Sequence, residues 1–188
     1  MSATKQAEAI LRELSYSLER ISETQAEAFV KAVLAARRVY VAGAGRSLLM
    51  MRCFAMRLMH MELTAYVVGE TVTPAIGPGD LLVIGSGSGE TGTLKVMAKK
   101  ARDVGASLAL ITAHPESTMG RMADVVVAIA APTVKNAGGN DFETVQPGAS
   151  MFEQSLLLFG DMMVLEIQRL LGVTDKNESM NRLHTNLE

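Results

Sequence analysis

A short run that is apolar at every position, Leu81-Leu82-Val83-Ile84, passes directly into Gly85-Ser86-Gly87-Ser88-Gly89-Glu90-Thr91-Gly92. A helix-compatible stretch follows, from Thr93 to Arg102. Such a run is read as a strand buried on both faces, and that kind of strand belongs to a parallel sheet covered by helices. Alternating glycines let the backbone take left-handed angles and turn several N–H groups onto one anion. The helix that follows points its positive end at the same place. Ser86, Ser88 and Thr91 add hydroxyl groups, so the whole loop, with Gly87, Gly89 and Glu90, is predicted to cradle a phosphate. No Gly-Lys-Ser/Thr follows, so the loop lacks a Walker lysine and suits a phosphate that is held, not transferred. A plain solvent-exposed glycine turn is the competing reading, and it needs neither so many glycines nor those hydroxyls.

The same alternation of strand and helix runs along the chain. Residues 5–21 read as a helix with an apolar stripe of Ile10, Leu11, Leu14, Leu18 and Ile21. Ser22 to Gln25 has the spacing of a capping box, which predicts a break and a second helix ending near Ala36. Strands are predicted at 38–42, 64–68, 81–84, 107–112 and 124–129, with helices at 47–61 and 150–171. The helix at 47–61 is apolar on nearly every face, which marks it as buried or in an interface. Residues 131–148 lack periodicity and read as a long functional loop, and 177–188 as a polar tail. The expected fold class is α/β, a three-layer α-β-α sandwich on a five-stranded parallel sheet. The expected organisation is a helical arm at 1–36, a core at 37–172 and a tail at 173–188.

Composition narrows the function classes. With 188 residues the chain reads as one domain, and its net charge of -2 gives no global field for nucleic acid or anionic membrane. A single cysteine, Cys53, cannot form an internal disulfide, and together with a charged N-terminus this predicts a cytoplasmic protein. No run reaches membrane-spanning length. The greasy helices, and thirteen methionines in all, hold more apolar surface than a small monomer buries, so an oligomer is expected.

Several residues are candidates for chemistry. Gly43-Ala44-Gly45-Arg46-Ser47 should lie at the carboxyl end of the first strand and converge with the 85–92 loop. There Arg46 would offer a charge-assisted contact, and Ser47 would cap the helix and donate to an oxygen. Taken alone this loop is equally a tight turn, or the start of a dinucleotide fingerprint whose third glycine is replaced by Leu48. Glu153 sits in the first turn of a helix, where the dipole favours its charged form and suits a general base. Ser150-x-x-Glu153 is also a capping box, and sequence physics alone favours the cap. His60, His114 and His184 are each open to an acid–base role or to a structural one. No cluster has metal-ligand spacing.

The two Ser/Gly loops resemble the sugar-isomerase (SIS) domain family. Arg57-Leu58-Met59-His60, Val67 to Pro74, Gln146-Pro147 with Phe152-Glu153-Gln154, and His184-x-Asn186-Leu187-Glu188 resemble the 6-phospho-3-hexuloisomerases within it. The resemblance implies a flavodoxin-like sheet and isomerisation of D-arabino-3-hexulose 6-phosphate to D-fructose 6-phosphate. It places that step in the ribulose monophosphate route of formaldehyde handling, next to a 3-hexulose-6-phosphate synthase. It further implies a homotetramer with active sites at subunit interfaces, and no cofactor or metal. Carried over by position, Ser47 and Ser86 to Thr91 would bind the sugar phosphate and Glu153 would move the proton. His60 and His184 would polarise a sugar oxygen or orient Glu153. A non-catalytic sugar-phosphate sensor, another sugar-phosphate isomerase and a dinucleotide-dependent enzyme are the alternatives.

Overall fold

The computed structural model describes residues 2–132, 144–175 and 177–187. Its elements are α1 (Ala3–Leu18), α2 (Glu23–Ala35), β1 (Val39–Gly43), α3 (Arg46–His60), β2 (Ala65–Val67), β3 (Leu81–Gly85), α4 (Gly92–Asp103), β4 (Ser107–Thr112), β5 (Val125–Ala128), α5 (Ser150–Leu170) and α6 (Glu178–Leu183). A 3₁₀ turn, Gly120–Met122, precedes β5. The strands form one parallel sheet in the order β2-β1-β3-β4-β5. This is the expected α-β-α arrangement. Most of the predicted 131–148 loop lies outside the described residues.

The two faces of the sheet are covered unequally. On one side α2, α3 and α5 pack over Val39, Val41, Val83, Ala109, Ile111 and Val127, with the Phe29 ring tilted against Phe54 and edge-on to Phe159. On the other, α4 and the 3₁₀ turn cover Tyr40, Ala42, Leu82, Ile84, Leu108 and Leu110. Every residue of β3 is buried, which is why its sequence shows no alternation. Gly85 ends this strand because α3 and α5 close over it. A Cβ there would stand 2.8 Å from both Met51 Sδ and Leu156 Cδ2.

The helices α1 and α2 form where expected, each with one departure. Ser22 caps α2, accepting from Gln25 N–H at 3.5 Å. Gln25 itself does not complete the box, because its Oε1 accepts from Ala128 N–H at 3.0 Å and ties α2 to β5. The second departure is α1. It turns Ala9, Glu13 and Ser17 inward, leaving Ile10, Leu14 and Leu18 half-buried and Leu11 64% exposed. The predicted apolar stripe thus lies along the flank of the helix, not on its buried face. The polar tail contains α6, which docks on the end of α3 through an Arg182–Glu62 ion pair and a contact of Arg57 Nη1 with Met180 Sδ.

Candidate active site

At the carboxyl end of the sheet Gly43 and Gly85 lie side by side in register. The loops beyond them enclose a cavity of about 160 Å³ lined by Ala44, Ser47, Ser86, Gly87, Ser88 and Thr91, and closed by Ala149 and Phe152 of the α5 end. The two predicted loops therefore converge, and all three expected hydroxyl residues of the second loop face the cavity. Among the described residues the N–H groups of Gly87 and Ser88 find no acceptor, and those of the first turn of α4 have none within the helix. Backbone donors, hydroxyls and a helix N-terminus thus meet at one point, which is the chemistry of an anion seat.

The remainder of the 85–92 loop works on the opposite side, as a brace. Gly87 C=O accepts from Ala113 N–H and from the Thr112 hydroxyl, and Gly89 C=O accepts from Met119 N–H. Gly89 has φ +62°, and a Cβ there would overlap Ser117 Oγ, so both conformation and space require glycine. Glu90 does not enter the cavity. Its carboxylate accepts Thr118 N–H at 2.5 Å and Lys95 Nζ at 3.1 Å. Those bonds, with the Thr118 hydroxyl, hold its pKa down at about 2. Gly89 and Glu90, expected among the phosphate-binding residues, do not line the cavity; their contacts hold the loop in place.

Two predicted caps are also absent, each for a visible reason. Gly45, not Ser47, occupies the N-cap of α3, and the Ser47 side chain lines the cavity instead. Ser150 is already helical, and α5 starts from Ala149 without a side-chain cap. Glu153 is thereby released from the capping box. Its Oε2 accepts from Arg46 Nη1 at 2.8 Å, joining the first turns of α3 and α5 through the residues next to Ser47 and Phe152, which line the cavity. Arg46 does not line the cavity, and its guanidinium is turned to the Glu153 carboxylate.

The histidines are elsewhere. His60 ends α3, about 20 Å of helix axis from Arg46, at the opposite end of the sheet. It is buried, and its ring stacks on that of His184 with centroids 6.2 Å apart. Burial first, then the Arg57 charge, hold the His60 imidazole below its ordinary pKa. The structure brings the two histidines to each other and not to the cavity of their own chain. His114 follows β4, with Nδ1 3.4 Å from Glu116.

Sequence reasoning missed Glu13 altogether. This α1 carboxylate is 4% exposed and accepts from Thr144 Oγ1, Val145 N–H and Gln146 Nε2 at 2.6–2.8 Å. A glutamate beside an apolar stripe carries no local signal of such contacts.

Comparison with known proteins bears on the same residues. A SIS domain family model matches residues 33–154, which include both loops and Glu153. The chain belongs to the SIS domain family. It is also 41% identical to the 3-hexulose-6-phosphate isomerase of Bacillus subtilis over 188 residues, covering 100% of both chains. Identity to the enzyme of that name from Methylomonas aminofaciens is 36%, over 98% of this chain and 99% of the relative. A crystal structure of a Methanococcus jannaschii protein, for which a 3-hexulose-6-phosphate isomerase function was inferred, superposes with a TM-score of 0.81 at 26% identity, over 98% of this chain and 99% of that one. In this SIS domain the matched segment holds the cavity, Arg46 and Glu153, whereas Glu13 and His184 lie outside it. No helix among the described residues is long and apolar enough to cross a membrane.

Proposed function

We propose that this SIS-domain chain interconverts D-arabino-3-hexulose 6-phosphate and D-fructose 6-phosphate through an enediolate. The observation that carries the reading is an anion seat walled by Phe152, with the carboxylate of Glu153 on the next residue of α5, in a chain 41% identical over its full length to an enzyme of that name. The phosphate rests on Ser47, Ser86, Gly87, Ser88 and Thr91, remote from the reacting carbons. Binding energy from that inert end then serves to align C2 and C3. Glu153 takes the proton from C2 and returns one to C3, while O2 loses a proton and O3 gains one. Donors near the enediolate oxygens lower the barrier further.

The cavity is smaller than the roughly 300–1,000 Å³ of clefts that enclose a whole ligand, which suits a seat completed by a second copy. Leu11 of α1, Leu49, Met56 and Met59 of α3, and Leu165 of α5 are exposed and supply apolar surface for such contacts. In the proposed homotetramer, any part of His60 and His184 in polarising a sugar oxygen runs through a neighbouring copy's site. The reaction would sit after a 3-hexulose-6-phosphate synthase in cytoplasmic formaldehyde handling by the ribulose monophosphate route. Purified protein given fructose 6-phosphate is expected to form the 3-ketose phosphate. A folded sample that yields none overturns the proposal.

A further inference from the structure

The inward face of α1 carries a carboxylate where packing alone would place an apolar side chain. Glu13 is buried, and among the described residues its donors are all neutral: Thr144 Oγ1 at 2.7 Å, Val145 N–H at 2.6 Å and Gln146 Nε2 at 2.8 Å. The Thr144 oxygen also accepts from Gln146 N–H at 3.0 Å, which closes the cluster on itself. Burial alone would raise the pKa of Glu13. The bonds from Gln146, Val145 and Thr144 together outweigh it and hold the group below its ordinary value, as a carboxylate. A buried ion survives only where its lone pairs are met, so the cluster orders both of its members.

What it orders lies next to the site. Residues 144–146 lead through Pro147 and Gly148 to Ala149, the N-cap of α5. Ser150 N–H bonds to Pro147 C=O and Glu153 N–H to Ala149 C=O, so the strap runs without slack into the first turn. Ala149 and Phe152 wall the cavity, and Glu153 meets Arg46. We infer that Glu13 is a positioning residue: it fastens 144–146 and thereby sets where α5 begins and where Glu153 points. The inference rests on the reading of Glu153 as the proton-transferring base. It gives α1, which lies outside the matched SIS segment, a part in turnover.

The test compares the full-length protein with E13Q, T144V and the swap E13Q/Q146E. E13Q keeps the shape but brings an amide to converging donors. Its kcat on fructose 6-phosphate is expected to fall about tenfold or more, with KM and the Kd of inorganic phosphate within about twofold of wild type. T144V removes one bond and is expected to lower kcat about two- to threefold, again at unchanged KM. The swap restores an amide–carboxylate contact and should recover part of the loss. By hydrogen exchange, peptides spanning 144–156 should exchange faster in E13Q while those spanning 85–94 do not. A folded E13Q with wild-type kcat overturns the inference, as does parallel worsening of kcat, KM and phosphate binding, or a swap no better than E13Q. If E13Q does not fold, T144V decides by the same split. A wild type that fails to isomerise defeats the reading of function, and the exchange pattern alone then decides the role of Glu13.

Discussion

At the amino end of β1 and β3, the buried carboxylate of Asp80 accepts from Arg37 Nε and Nη2, from Arg38 Nε and Nη2, and from Gly77 N–H, all within 2.7–3.2 Å. At the carboxyl end of the same strands, Gly87 and Ser88 N–H have no acceptor among the described residues, and Ser47, Ser86, Ser88 and Thr91 line the cavity, with Ser88 Oγ also accepting from Glu90 N–H at 3.2 Å. The amino end pairs its polar groups with each other, and the carboxyl end, beside its own internal pairs, leaves two backbone donors without an acceptor among the described residues. Ligands of open parallel sheets bind beyond the strand carboxyl ends, and here the polar groups divide along that line. Changes at the amino end should therefore cost stability at constant affinity, and changes at the carboxyl end should do the reverse.

The largest effect is expected from Glu153→Gln, with kcat down about a thousandfold, or roughly 4 kcal/mol, and an unfolding temperature close to wild type. Next comes Asp80→Asn, which leaves the Arg37 and Arg38 forks facing a neutral amide. Unfolding should cost about 3 kcal/mol less, visible as a Tm lower by about 6–12 °C, with KM unchanged for the protein that remains folded. A raised KM in that variant would blur the division between the two ends. Ser88→Ala should raise KM about tenfold through the lost hydroxyl while leaving Tm nearly constant.

Acid titration separates the ends by stability. Arg38 chiefly, with burial opposing it and Arg37 and Gly77 assisting, holds Asp80 at a pKa of about 2 against an ordinary 3.8. A depressed carboxylate contributes stability above its unfolded value that is lost as pH falls through the folded one. The amino end should therefore lose its contribution between pH 3.8 and about 2, and Asp80→Asn should flatten that part of the Tm profile. The smallest effect belongs to His60. Its pKa is lowered from 6.5, so the unfolded chain binds the proton more readily and stability falls as pH drops below that value. His60→Gln should reduce this slope, measured as Tm against pH.

The strands were legible because the core runs of β3 and β4 are apolar at almost every position, and parallel strands buried on both faces need no other pattern. The loop that lines the cavity was legible for a related reason: its glycines and hydroxyls are contiguous, so their chemistry is local. Long-range pairings were not. Arg46 and Glu153 stand 107 residues apart, and only the packing of α3 beside α5 shows that each satisfies the other. Glu90 reads from sequence as part of the phosphate-binding stretch because Thr118, whose N–H its carboxylate accepts, lies 28 residues away. In α1, periodicity picked out Ile10, Leu14 and Leu18, yet the helix buries Ala9, Glu13 and Ser17, with Glu13 bonded to 144–146, and that stripe lies on its flank. His60 and His184 were named together from the family resemblance, and they do meet, though away from the cavity.

The division of labour at the carboxyl end, phosphate held by the loops and a proton carried by Glu153, is tested most directly by proton NMR of fructose 6-phosphate in D₂O. Wild type is expected to form the 3-ketose phosphate and to replace the C3 proton with deuterium. Glu153→Gln should bind inorganic phosphate with unchanged affinity and do neither. Conversion or C3 exchange by Glu153→Gln at the wild-type rate would contradict the account.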